Sequence, residues 1–180
     1  LSIILALAMM FSVLPASTVL VYADVITETI SADTTWNDGD TVGGVTISGG
    51  TVTINGDVGI TAAITIKGDV TFTGGGTLNR MSTSGNLIKV ESGSLTLGNV
   101  TIDGNDVIIS DSGAVAAINM ADGTVIMNDG AKITNHKRTS GYGPAVYMAG
   151  GNFKMKGGTI SGCESRNYGG AIYLDGGSFE

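Results

Sequence analysis

The stretch GPAVYMAGGNF (143–153) returns as GGAIYLDGGSF (169–179), each time with a Tyr between two apolar residues and a Gly-Gly pair just after them. The same outline extends toward the N-terminus as VTISGGTVTI, ITIKGDVTF, IKVESGSLTL and INMADGTVIM, beginning at Val45, Ile64, Ile88 and Ile118. With Val146 and Ile172 added, the steps are 19, 24, 30, 28 and 26 residues. Each unit holds an apolar-x-apolar tripeptide, a turn containing Gly, and a second alternating strand. A third short strand follows in several units, as in NVTID (99–103), AKITN (131–135) and GTISG (158–162). Three short strands per unit, repeated at this spacing, predict an all-β chain in which each unit is one coil of a β-solenoid.

Successive side chains of a strand point to opposite faces, so the pattern predicts which residues form the core. The first strand turns in Val45/Ile47, Ile64/Ile66, Ile88/Val90, Ile118/Met120, Val146/Met148 and Ile172/Leu174. The second turns in Val52/Ile54, Val70/Phe72, Leu95/Leu97, Val125/Met127 and Phe153/Met155, and the third adds Val100, Ile102, Ile133 and Ile160. Residues between the inward pairs of the first strand form an outer stripe that reads Thr46, Thr65, Lys89, Asn119, Tyr147 and Tyr173. Tyr147 and Tyr173 are therefore expected to stack on one another across adjacent coils, outside the core.

Composition agrees with this plan. The 180 residues include 29 Gly and only 2 Pro, and Val, Ile and Thr recur throughout, which favours strands and tight turns. The formal net charge of −7 is unevenly placed, with 13 acidic and 3 basic side chains in 24–131 against 3 acidic and 6 basic in 132–180. An acidic body without a basic, aromatic-interleaved stripe excludes nucleic acid as the expected partner.

The opening LSIILALAMMFSVLPASTVLVYA is uncharged and ends with small residues at Val21 and Ala23, so residues 1–23 read as a signal peptide cut after Ala23. A retained membrane anchor is the other reading of so long an apolar run. The membrane then enters only through this segment, and the mature chain is expected to be secreted or held at the cell surface. Residues 24–44, with the single Trp36 among turn residues, read as an N-terminal cap, and 45–180 as solenoid repeats that stop within a unit. The lone Cys163 has no partner for an internal disulfide and is expected to be a buried structural thiol.

The runs GGTISGCESRNYGGAIYLDGGSF (157–179) and LIKVESGSLTLGNVTIDGN (87–105) resemble the repeats of right-handed parallel β-helix proteins of the pectin-lyase-like superfamily, particularly large exported bacterial ones. Right-handed crossovers are also the rule between parallel strands. The resemblance implies polysaccharide contact along the first-strand face and the loops beside it. Those loops are NHKRTSGYG (135–143) and GCESRNYGG (162–170), which carry Lys137, Arg138, Tyr142, Arg166 and Tyr168. With Lys89, Asn119, Tyr147 and Tyr173 they make up the candidate ligand-binding set, suited to an acidic glycan by its cations and aromatic rings.

Hydrolases of the superfamily use clustered Asp carboxylates with a His, and its lyases use an acidic calcium cluster with a basic residue. The chain has no paired Asp-Asp motif, and its only His, His136, stands in an NHK context. The densest acidic run, IDGNDVIISDSG (102–113), offers Asp103, Asp106 and Asp111 as calcium ligands, although Asp and Asn are also the usual turn residues of such coils. No catalytic residue and no cofactor is assigned. The leading expectation is an adhesin-like surface or secreted module contacting glycans without catalysis. The alternatives are a polysaccharide lyase or glycoside hydrolase whose catalytic coils are incomplete here, and a solenoid that serves only as a spacer. A Thr stripe on the second strand (Thr51, Thr53, Thr71, Thr73, Ser94, Thr96) resembles ice-binding arrays but gives way to Ile126 and Lys154.

Overall fold

A computed structural model of the chain describes residues 29–180, so the expected signal peptide lies outside the described residues. Among them every regular element is a strand, and every pairing between named strands is parallel. Three sheets stack coil upon coil into a parallel β-solenoid: one of 12 strands, one of six and one of three.

The 12-stranded sheet contains both the first and the second strands of the repeats. In the later coils these are separate, as in Val146–Met148 and Asn152–Met155. In two early coils they fuse into continuous strands, Thr46–Asn55 and Ile64–Thr73. Registry slips there between Ile47 and Gly49. The six-stranded sheet gathers the third strands, including Thr77–Arg80, Thr101–Asp103, Lys132–Thr134 and Thr159–Ser161. The third sheet was not anticipated from the sequence. It is a short ladder of Ile108–Ile109, Lys137–Arg138 and Glu164–Ser165 in the connection that returns to the first face.

The segment expected to cap the stack is built as a coil along its described part. Thr29–Ile30, Thr34–Asn37 and Thr41–Val42 pair in parallel with the coil that follows, placing Trp36 opposite Ile54. Trp36 is buried and meets Phe72 edge-on, with ring centroids 6.0 Å apart at 62°. That arrangement suits the opposed charge on the face and edge of an aromatic ring.

The predicted columns form the core. Ile64, Ile88, Ile118 and Val146 are fully buried in one column, Ile47, Ile66, Val90, Met120 and Met148 in the next, and Phe72, Leu97 and Met127 in another. Ile172 and Leu174 are less covered because their coil has a described neighbour on one side only, and Leu174 keeps 47% of its surface exposed.

The Gly that follows the first strand in each repeat has a specific cause. Gly93, Gly123, Gly151 and Gly177 all lie at positive φ, where a Cβ is strained. They also stack: a Cβ on each would press into the carbonyl oxygen of the matching Gly one coil back, from Gly177 to Gly151 to Gly123 to Gly93 to Gly68. Those carbonyls are occupied by ladder bonds, such as Asn152 N–H to Gly123 at 2.9 Å. The turn therefore admits no side chain at that corner.

Candidate functional site

The outer stripe of the first face runs in strict register. Thr46 lies beside Thr65, Thr65 beside Lys89, Lys89 beside Asn119, Asn119 beside Tyr147, and Tyr147 beside Tyr173. Tyr147 and Tyr173 stack as expected, 5.7 Å apart at 17°.

The neighbouring turn extends this pair into a four-ring array. Tyr142 and Tyr168 form a bridge between their two coils and stack 5.7 Å apart at 16°. Tyr142 also packs 4.6 Å from Tyr173 at 30°, which joins the turn column to the strand column. Tyr168 is the most open, with 67% of its surface exposed, while Tyr142, Tyr147 and Tyr173 are half-buried. The Tyr147 hydroxyl donates to Asp175 Oδ2 at 3.1 Å. Burial, followed by that bond, raises its pKa above the ordinary phenol value.

Stacking of this kind turns the rings' faces toward one another and their edges and hydroxyls toward solvent. Ring edges carry the positive side of the aromatic quadrupole, so they favour oxygen-rich partners. The array therefore suits hydrogen bonding along its edges more than sandwiching a sugar between open faces.

Of the predicted cations, Arg138 needs correction. It is not a surface charge beside the face: only 3% of it is exposed, and its guanidinium turns inward. There it donates to the carbonyls of Val115, Tyr142 (2.8 Å), Asp111 (2.8 Å) and Gly113 (3.0 Å). Burial lowers its pKa. Arg138 thus ties the Tyr142 turn to the preceding coil. Lys137 does face outward, where it pairs with Asp106 at 2.7 Å, and this hydrogen bond raises its pKa. Arg166 is exposed and lines a cleft of about 80 Å³ with Lys137 and Glu164. Lys89 is exposed, whereas the Asn119 amide donates to the Ala114 carbonyl at 2.6 Å.

The acidic run is engaged in holding the backbone. Asp103 accepts from the Asn105 amide at 2.6 Å and from Thr134 and Asn135 of the next coil. Asp106 meets Lys137, and Asp111 accepts from the Gly85 amide at 2.8 Å. Among the described residues no group of three His, Cys, Asp or Glu side chains is placed to hold a metal ion.

The burial of two polar residues, Arg80 and His136, is not evident from the sequence. Arg80 is 1% exposed and donates to the carbonyls of Gly85 (2.9 Å), Ser82 and Ala116. Burial first, then the nearby charge of Arg138, pushes its pKa down to about 10. His136 is fully buried, its Nε2 lies 3.3 Å from the Ile102 carbonyl, and its Nδ1 has no partner. Burial, helped by Arg80, pushes it down to about 4, so it is a neutral core residue at ordinary pH. Alternation puts Arg80 on the inward phase of its strand, two residues after Leu78, but a charged side chain is not an expected core residue, and His136 sits between two strands, where alternation has no phase. Cys163 is partly buried against the core, and burial raises its thiol pKa.

No protein-family model matches the chain, and neither a curated protein nor a solved structure matches it.

Proposed function

We propose that the chain is a right-handed β-helix module of the pectin-lyase-like kind, exported to the cell surface or secreted, which contacts glycans in an adhesin-like way without cleaving them. The observation that carries the reading is the tyrosine array. Four rings gather on the outside of two coils, where the hydrophobic core does not require them. Edge-presented phenols, with Tyr168 the most exposed, offer donors to hydroxyl- or carboxylate-bearing sugars, and the exposed Arg166, two residues before Tyr168 in the chain, offers a cation. Two positions weighed for catalysis have structural roles: His136 lies in the core, and the Asp103 carboxylate bonds the Asn105 backbone.

The test is retention of the chain on immobilised polygalacturonate and on a neutral glucan, compared with the Tyr147→Ala/Tyr173→Ala double variant. The reading expects the variant to lose retention while its circular dichroism stays strand-rich. Equal retention of the two proteins would leave the array as a structural ladder.

A further inference from the structure

Every tyrosine of the array touches another, and this closeness has a chemical consequence apart from glycan binding. Tyr142 and Tyr147 belong to one coil, Tyr168 and Tyr173 to the next, and ring centroids are separated by 4.6 to 5.7 Å along the path 168–142–173–147. The geometry points to a dityrosine staple: one-electron oxidation of the array joins Tyr142 to Tyr173 by a carbon–carbon bond between adjacent coils.

Three features favour this reaction. Tyr168 is the most exposed ring and the natural point of contact for an external oxidant. Tyr147 already donates its hydroxyl hydrogen to Asp175, so a carboxylate stands ready to take the proton when an electron leaves. Tyr142 and Tyr173 are the closest pair and the only one of the three contacts that is clearly tilted, at 30°. Their separation approaches that of two directly bonded rings, and both are partly exposed at the surface.

The step balances with a peroxide as oxidant, delivered through a haem peroxidase. Each of two phenols gives up one electron and its hydroxyl proton. The resulting phenoxyl radicals couple at ring carbons ortho to oxygen, and the hydrogens displaced from those carbons return through solvent to the two oxygens. Two hydrogens leave the protein, and one hydrogen peroxide is reduced to two waters.

The experiment treats the full chain with hydrogen peroxide and a haem peroxidase, then reads dityrosine fluorescence and maps linked peptides by mass spectrometry. The expected product is a monomer that has lost two hydrogens, with Tyr142 joined to Tyr173 and a yield independent of protein concentration. Tyr142→Phe and Tyr173→Phe should each abolish it while keeping the ring stack, and Tyr168→Phe should slow it. Absence of dityrosine, links only between molecules, or a link through any other pair, including Tyr22, would overturn the assignment.

Discussion

Arg138 donates to the carbonyl of Tyr142 at 2.8 Å, so a buried cation holds the turn that carries the hub of an external aromatic array. The same guanidinium reaches three carbonyls of the preceding coil, at Asp111, Gly113 and Val115. Site and scaffold are therefore joined through one side chain that reads in the sequence as a loop charge.

The planar fork of Arg138 is what allows it to serve so many acceptors. Lys offers its three donors from a single point and cannot span the same carbonyls. Arg138→Lys is expected to destabilise the fold by about 2–3 kcal/mol, the scale of losing a buried charge-assisted hydrogen bond and leaving its acceptor unpaired. Denaturant unfolding should show an earlier midpoint, and near-ultraviolet circular dichroism a weakened tyrosine signal. An unchanged midpoint would return Arg138 to the surface.

His136 predicts an acid-sensitive fold. Its pKa in the folded chain is about 4, below the ordinary 6.5, because burial and Arg80 oppose its charge despite the Ile102 carbonyl and Asp103. Above pH 6.5 both folded and unfolded chains hold it neutral. As the pH falls from there to about 4, the unfolded chain takes up a proton that the folded chain refuses, and stability declines by about 3 kcal/mol. His136→Gln should flatten that window in a series of unfolding curves between pH 7 and 4. A slope that survives the substitution would assign the loss to other groups.

The corner between first and second strands gives a pair of contrasting substitutions. A Cβ on Gly68 would sit inside the contact envelope of the Ser48 carbonyl oxygen and carbon, which are backbone atoms that cannot step aside. One on Gly49 would meet only the Asp69 carbonyl oxygen, at an ordinary 3.7 Å. Gly68→Ala is expected to cost about 2–3 kcal/mol or more. Gly49→Ala should change stability by less than about 1 kcal/mol, since it also restricts the unfolded chain. Comparable unfolding midpoints for the two variants would mean that the coils are not stacked in this register.

Most of the architecture could be read from the sequence because the solenoid is made of strands, and strands follow a period of two. Val45 through Met148 on the first face and Val52 through Phe153 on the second face are buried where alternation puts them. The stacking of Tyr147 on Tyr173 follows from the same count. Alternation says nothing in the connections, which vary in length, and there the reading stopped short. Arg138 and His136 read as loop residues there, yet both are buried; Arg80 is buried as well, on the inward phase of a third strand where a charged side chain is not an expected core residue. Tyr142 was placed beside the face by its loop, but its contact with Tyr173 depends on the turn's conformation and had no signature in the residue pattern. The extra ladder through Ile108–Ile109 was hidden for a similar reason, because two-residue strands carry no period to detect.

The most direct test of the proposed function is to incubate the full chain with polygalacturonate and a neutral glucan, measuring polysaccharide-bound protein and newly formed reducing or unsaturated ends in the same samples. The account predicts bound protein with no new ends, and binding that falls when Tyr147 and Tyr173 are both replaced by Ala. New ends appearing in proportion to protein and time would contradict it and identify an enzyme.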